Sequence, residues 1–307
     1  MAQSINRDLD SVPGGSYQGF YGSEITDFIR DFCVSVPDSQ TSRAYMCKIN
    51  SNITIDAATT PFYVRKMRNT VTGEMEPVKM TVFITGNLYL ENTADYFSPE
   101  ANFAATAVDV GNFLAFIVGG GGHGLIRIKD NLGLVMPNPN LNQAVNQTLV
   151  NQCWEGQTAL LNPVYCDTAG GALPGCAGDI NATITGGNTY ATAGQNSAAG
   201  VTEGIFIADG DLEIFGSFRS DDAAMGIDCS TEDTLRTDRR YIHQGSMIAW
   251  GQAYLERDFS NRERLCQDNT FGVYNNRVPT ETFIYRPDLV KNIPDWMRMS
   301  SVFQQEV

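Results

Sequence analysis

Residues 116–130 have the sequence FIVGGGGHGLIRIKD, in which a run of glycines separates two apolar segments. A glycine-rich loop binds phosphate when it leads into a helix N-terminus, because free N–H groups and the positive end of the helix dipole then face the anion. Here the helical spacing precedes the glycines, and the segment after them is short and strand-like. No Lys-Ser or Lys-Thr pair follows, so the P-loop pattern is missing. We therefore expect these glycines to end a helix and allow close packing, and not to bind a nucleotide.

The segment before the glycines predicts a long helix. Ser98, Pro99 and Glu100 combine an N-cap residue, a proline at the first helical position and an acid in the first turn. Apolar residues then recur at helical spacing, on one face: Phe103, Ala107, Val110, Leu114 and Ile117. Gly119 follows where a C-cap belongs. The alternative, in which residues 113–118 form a strand, gives no phosphate site either.

A shorter helix is predicted near the N-terminus. Ser23 is a suitable N-cap and Pro37 is expected to end the helix. Four apolar residues share one face of this helix: Ile25, Phe28, Ile29 and Phe32. Residues 1–22 are polar and rich in glycine, which is typical of an extended arm.

The remaining regular structure is predicted to be β. Residues 44–90 are rich in β-branched and aromatic residues and suggest a meander, with a turn at residues 71–74. The segments headed by residues 82–84 and 205–207 resemble each other, as an internal repeat or simply as two hairpins. Residues 246–256, SMIAWGQAYLE, have the apolar character of a strand in a sheet that is buried on both faces.

These patterns predict a mainly β fold, a sandwich or barrel-like set of meanders with two or three short-to-medium helices. The alternative is an α+β capsid-type fold. We expect an arm and helix in residues 1–40, a β-rich core in 41–300 with a long loop at 163–201, and a tail at 301–307. Most of that loop consists of Gly, Ala, Thr and Asn, which bury little apolar area. It is either mobile or held by neighbouring subunits, and the second interpretation is favoured.

Composition restricts the class of partner. The chain has 307 residues, of which 42% are hydrophobic, and its formal net charge is −14. An acidic surface repels nucleic acid and anionic lipid, so we expect no specific nucleic-acid binding. The start of the chain lacks the apolar stretch of a secretory signal, and no run of apolar residues is long enough to cross a membrane. These features predict synthesis in the cytoplasm and no membrane partner.

The cysteines carry no recognisable metal or redox motif. There are seven, and no two have C-x-x-C spacing. Free thiols in a reducing cytoplasm are the favoured interpretation. A disulfide between Cys166 and Cys176 is the alternative that remains open.

Few residues suggest chemistry. His123 and His243 are the only histidines, and neither lies in a G-x-S-x-G or triad-like pattern, so structural roles are expected. Asp209, Asp211 and Glu213 alternate along the chain and are candidate ligands for Ca²⁺, although a solvated acidic loop has the same pattern. Arginines and acids alternate at residues 235–241 and 256–264, which predicts salt-bridge networks at a surface or interface. No catalytic residue and no cofactor are predicted.

Arms and loops that cannot bury a core of their own commonly order against other copies of the same chain. We therefore expect a structural subunit of a homo-oligomeric assembly and not an enzyme. A capsid or tail protein of a double-stranded DNA phage is the most concrete form of this hypothesis. Its partners would be copies of itself and other assembly proteins, and its final location a virion. The alternatives are a β-sandwich glycan-binding or adhesive module that uses calcium, and a hydrolase with a carboxylate pair.

Overall fold

The computed structural model describes residues 25–94, 104–119, 123–133, 201–216, 238–259 and 280–298. The predictions for the arm, the long loop, the tail beyond residue 300, the helix start at residues 98–100 and the pair Cys166–Cys176 lie outside these residues. Within them, no helix is long and apolar enough to span a membrane.

Strands predominate in the described part of the chain. The helices are α1 (Ile25–Phe32), α2 (Pro287–Lys291) and α3 (Asp295–Arg298). The strands, in chain order, are β1 (Cys33–Ser35), β2 (Ala44–Ile49), β3 (Ile53–Asp56), β4 (Phe62–Val64), β5 (Met67–Arg68), β6 (Met75–Glu76), β7 (Lys79–Ile84), β8 (Leu88–Glu91), β9 (Thr106–Val108), β10 (Phe113–Val118), β11 (Ile126–Ile128), β12 (Thr202–Ala208), β13 (Leu212–Ile214), β14 (Tyr241–Ala249), β15 (Ala253–Leu255) and β16 (Glu281–Ile284).

The strands form a coil of parallel rungs. Sheet A has seven strands in the order β1-β2-β7-β10-β12-β14-β16, and sheet B has five in the order β15-β13-β11-β8-β3. The chain passes from a strand of sheet A to one of sheet B and then returns to sheet A. Each strand from β7 onward in these sheets pairs in parallel with the strand one coil earlier. This winding is that of a parallel β-solenoid, in which stacked coils share one continuous core.

The mainly β class with few helices is confirmed, whereas the predicted arrangement of the strands is wrong. Residues 44–90 do not form a meander, because β2 and β7 pair in parallel with β3–β6 between them in the chain. One antiparallel hairpin is present where a turn was predicted at residues 71–74, between β5 and β6. The described strands therefore build stacked coils in place of a sandwich or barrel of meanders.

The long helix predicted before the glycine run is also wrong in its described part. Thr106–Val108 is β9 and Phe113–Val118 is β10. β10 lies between β7 and β12, and its side chains are buried or nearly so on both faces of sheet A. A strand buried on both faces is apolar at nearly every position, so it contains the spacing of a helix face by default. α1, in contrast, is a helix as predicted and buries Phe28 and Phe32, but it ends at Phe32, before Pro37, and Cys33–Ser35 forms β1.

Gly119 and Gly124 lie in closely packed surroundings between β10 of sheet A and β11 of sheet B. A Cβ on Gly119 would lie 2.7 Å from the Cβ of Asp209, and one on Gly124 would lie 2.6 Å from the backbone of Val118. These distances are too short for real side chains, which confirms that the glycines allow close packing. Because they follow a strand, the predicted role of Gly119 as a helix C-cap is wrong.

A ladder of side-chain amides and carboxylates links the turns between the two sheets from one coil to the next. At three steps a side-chain Oδ1 accepts the backbone N–H of the following coil: Asn52 from Asn87 at 2.8 Å, Asn87 from Leu125 at 3.1 Å, and Asp211 from Gln252 at 2.8 Å. A Cβ on Gly86 would lie 2.5 Å from Oδ1 of Asn52, and one on Gly251 would lie 2.2 Å from Oδ1 of Asp211. Glycine thus leaves room for the ladder.

The two segments of the suspected repeat lie in β7 and β12, two coils apart, and their register is shifted by one residue from the sequence alignment. Val82 lies opposite Phe116, which lies opposite Phe206. A chain of ring contacts also runs through the core, with successive centroids 5.1–6.3 Å apart, in the order Phe28, Phe62, Phe116, Phe206, His243 and Phe283. We call these rings the aromatic spine.

Candidate functional site

The three candidate calcium ligands have separate partners. Glu213 forms an ion pair with Arg127, with 2.6 Å between Oε2 and Nε. Asp211 accepts the backbone N–H of Gln252 at 2.8 Å, and Asp209 is exposed in the turn before β13. Among the residues that the structure describes, no group of three or more His, Cys, Asp or Glu side chains is placed to hold a metal ion.

The two histidines have different environments. His123 lies in the glycine-rich turn with a φ of 67° and is exposed. His243 lies inside β14 in the aromatic spine, and its Nδ1 is 2.9 Å from Oγ1 of Thr202, which also contacts the hydroxyl of Tyr241 at 2.5 Å. Burial lowers the pKa of His243 to about 3, so its ring is neutral at neutral pH. This group lies in the core, away from solvent.

The arginines predicted to form surface salt bridges are in part buried. Arg257 donates to three backbone carbonyls, those of Arg239 at 2.7 Å, Lys129 at 2.8 Å and Phe215 at 3.1 Å. Its guanidinium also lies 5.2 Å from the ring centroid of Tyr241. These carbonyls come from different coils, so Arg257 joins coils through backbone acceptors. For this residue the prediction of a surface network is wrong.

A disulfide joins β1 to the first coil. Cys33 and Cys47 are directly opposite in the antiparallel pair of β1 and β2, and their sulfurs are bonded. Opposed residues of an antiparallel pair bring their Cβ atoms within reach of such a bond. The expectation of free thiols is therefore wrong for these two cysteines, and the other five lie outside the described residues.

At the N-terminal end of the coil, α1 covers part of the core and β1 covers the edge of β2 in sheet A. β1 occupies the outer edge of β2, and α1 packs against the first coil. Phe28 is 2% exposed, and its ring contacts that of Phe62 at the start of the aromatic spine. The first members of the core columns, Cys47 and Ile55, have no exposed surface. We call this region the capped end.

The C-terminal end is open by comparison. Leu255 continues a core column of sheet B in which Ile128 and Ile214 have no exposed surface, yet Leu255 is 55% exposed. Phe283, the last ring of the aromatic spine, is 47% exposed. Further exposed apolar side chains lie nearby: Ile248, Trp250, Tyr254 and Tyr285. We call the surface formed by residues 245–255 and 282–285 the open end.

Unused backbone groups accompany these side chains. β15 and β16 are the outermost strands of their sheets, and no other described strand pairs with their outer edges. β16 pairs only with Tyr241–Gln244, so the remaining part of β14 has one paired edge. An exposed strand edge presents a row of N–H and C=O groups that another strand satisfies. Residues 245–255 and 282–285 contain no Asp, Glu, Lys or Arg, the charged residues that commonly protect such edges.

A C-terminal strap, residues 286–298, runs back from the open end across the outer face of sheet A. Phe113, Ala115 and Ile205 of that face pack with Ile293 and Met297 of the strap. The strap covers apolar residues on the outer side of β10 and β12. It therefore explains why those strands are apolar on both faces.

The far end of the strap is fixed at a buried ion pair. Nζ of Lys79 lies 2.8 Å from Oδ1 of Asp38, and both side chains are almost fully buried. Oδ2 of Asp38 accepts the backbone N–H of Asp295 at 3.0 Å, and Asp295 in turn accepts the N–H of Ser39 at 2.7 Å. Burial acts to raise the pKa of Asp38, but hydrogen bonds from Lys79 and from backbone N–H groups outweigh it and hold that pKa below its usual value.

The described residues thus offer, at the open end, a surface that is both apolar and unpaired. Sequence reasoning missed the open end, because its residues do not differ in type from those of the core. Comparisons with protein-family models, with curated proteins and with solved structures found no match to this chain, so its function has to be inferred from the geometry above.

Proposed function

We propose that this chain is a structural subunit of a homo-oligomeric assembly, in its most concrete form a capsid or tail protein of a double-stranded DNA phage. The observation that carries the proposal is the contrast between the capped end and the open end. Repeat folds need a finished surface at each terminus to stay soluble, because each coil buries its apolar face only against its neighbours. A solenoid that is finished at one end suits a subunit that is completed by a partner.

The chemistry of the chain fits a particle better than a catalyst. The coil is cross-braced by the disulfide, the amide ladder and the C-terminal strap, which favour a rigid building block. Its net charge of −14 suits a protein that lies near packaged or passing DNA without adhering to it. A disulfide is typical of proteins that function outside a reducing cytoplasm, and a released virion is such a place.

The test is the mass of the full-length protein in solution. We expect light scattering coupled to size-exclusion chromatography at micromolar concentration to give a multiple of 33.6 kDa, the mass of one chain. Electron micrographs of the same sample should show particles of one size and symmetry. A monodisperse monomer over the whole concentration range contradicts the proposal.

One observation favours a second candidate, a glycan-binding module. The outer face of sheet B carries a row of aligned residues that includes Tyr89, Arg127, Glu213 and Tyr254. Aromatic faces beside a charged pair are groups that bind sugars. A glycan array with the native protein and with Tyr89→Ala tests this function, and repeating it with a chelator tests the dependence on calcium.

A further inference from the structure

We infer that the open end is the docking surface for a second copy of this chain, related to the first by a two-fold axis. In this arrangement the edge strands of the two copies pair antiparallel, end to end. The inference rests on the proposed function, because it names the contact through which the assembly begins. Four features of the described residues support it, and each concerns a different property of the surface.

The open end has strand edges to which a further strand can hydrogen-bond. The outer edges of β15 and β16 and the second half of β14 belong to strands whose inner edges are already paired. Water can hydrogen-bond to the N–H and C=O groups of such an edge only while the apolar side chains around it remain exposed to solvent. A strand from a partner satisfies the edge and covers those side chains in one step.

The side chains of the open end belong to a core. Leu255 and Phe283 extend columns that are fully buried in every earlier coil. Removing apolar surface from water contributes roughly 25 cal/mol per Å², and these side chains present it together with Trp250, which is 77% exposed. Continuing the columns into a second copy would bury them as the earlier coils bury theirs.

The charge distribution identifies the partner as another copy. Each chain has a net charge of −14, so two copies repel each other over most of their surfaces. Residues 245–255 and 282–285 contain no charged side chain. The open end is therefore the part of the described surface on which a second acidic chain meets the least repulsion.

The capped end decides the symmetry. Head-to-tail stacking would place the open end of one copy against the N-terminal edge of the next. In sheet A that edge is the three-residue strand β1, which the bond between Cys33 and Cys47 fixes in place with α1 beside it, and in sheet B it is β3. Contact between two open ends brings the exposed apolar groups of both copies together, and it forms a closed isologous interface. A two-fold axis perpendicular to the edge strands makes their pairing antiparallel.

The decisive experiment is photo-cross-linking that reports which residues meet. p-Benzoylphenylalanine is placed at Tyr254, which is 40% exposed, and ¹⁴N- and ¹⁵N-labelled chains are mixed so that links between copies are recognised by mass. We expect mixed-isotope cross-links to residues 245–255 or 282–285. The control position is Val71, which is 91% exposed in the hairpin between β5 and β6 and should give none.

Two variants measure the energy of the same contact. Trp250→Lys and Tyr285→Lys replace well-exposed side chains, at 77% and 64%, so the fold of each chain should survive. Each places a desolvated cation in the two-fold interface. We expect the dissociation constant to rise at least tenfold, whereas Val71→Lys leaves it unchanged. Circular dichroism confirms that all three variants are folded.

The outcomes separate this inference from the proposed function. An oligomer with mixed-isotope cross-links at Tyr254 to the open end supports both. An oligomer whose cross-links lead to residues 25–56, or whose mass is unaffected by both variants, overturns the two-fold contact and leaves the structural subunit standing. A monomer at all concentrations overturns both.

Discussion

At the capped end, Phe28 and Phe32 of α1 lie over the first coil, whereas at the open end Leu255 and Phe283 leave 55% and 47% of their surface in water. Both ends are made of the same apolar residue types. Among the described residues, a helix and a disulfide-bonded strand lie beside the first coil, whereas the last coil has only neighbouring strands beside it. In this solenoid, then, the position of an apolar residue along the coil decides whether the described chain covers it or leaves it exposed.

The largest difference between the ends should appear when equivalent rings of the aromatic spine are removed. Phe28→Ala deletes a buried ring at the capped end and should lower the free energy of unfolding by about 3–5 kcal/mol, from lost burial and the cavity left behind. Phe283→Ala deletes a ring that is already half in water and should cost clearly less. Urea denaturation of both variants measures the difference, and equal losses would mean that the two ends are equally finished.

The strap that returns from the open end to the capped end should be nearly as sensitive. Lys79→Met leaves the carboxylate of Asp38 buried without its cation, which typically costs about 3–5 kcal/mol. Converting both partners, as Asp38→Asn with Lys79→Met, should restore part of the loss. Lys48→Met, on the neighbouring strand β2, is the matched control. If the single and the double variants unfold at the same urea concentration, the ion pair is not what holds the strap.

Removing the disulfide should weaken the capped end by a smaller amount. Cys33→Ala opens a loop between two residues that are 14 apart in sequence, and closing such a loop contributes about 2–4 kcal/mol. A reducing agent should bring the native protein to the stability of the variant and leave the variant unchanged. A native protein that is indifferent to reductant would show that β1 holds its place without the bond.

The smallest effect concerns pH and the last buried member of the aromatic spine. The pKa of His243 is about 3 in the folded protein and near 6.5 when unfolded, so below pH 6.5 the unfolded chain binds a proton that the folded chain does not. Stability is therefore complete above pH 6.5 and declines as pH falls towards 3. The loss from this group between pH 6.5 and 5 should be about 2 kcal/mol.

Two variants isolate that contribution. His243→Gln should flatten the decline between pH 6.5 and 5, whereas His123→Gln, at an exposed histidine, should leave it as in the native protein. Denaturation curves at four pH values in this interval are sufficient. A slope that persists unchanged in His243→Gln would assign the decline to other groups.

Local signals in the sequence were adequate for single elements and inadequate for their pairing. The spacing of Ile25, Phe28, Ile29 and Phe32 identified α1, and the β-branched runs identified most strands. Parallel pairing escaped prediction because each partner strand lies one whole coil away in the chain. The available signal was a recurring turn with a small residue at its centre, as in TGN at 85–87, DGD at 209–211 and WGQ at 250–252, each set between two short apolar runs.

The candidate site was still less accessible from the sequence. Asp209, Asp211 and Glu213 suggested a metal site by their alternation, but two of them are engaged, one in the amide ladder and one in an ion pair. Leu255 and Phe283 carried no signal, because a leucine or phenylalanine in a strand predicts burial whichever coil it occupies. Only the topology reveals that these two stand at the end of a column.

A solenoid without long-range ties opens from its ends, because the last coil is held by one neighbour only. The strap changes that behaviour. It leaves β16, crosses the outer side of β12, β10 and β7, and is fastened at Asp38, just before β2. Unfolding of the last coil therefore disturbs the attachment at the first coil, and the two ends of the solenoid unfold cooperatively. Amide hydrogens of the first and last coils should then exchange at similar rates, through one shared opening event. A solenoid that unfolds from its ends would instead show exchange rates that increase from the central coils towards the termini.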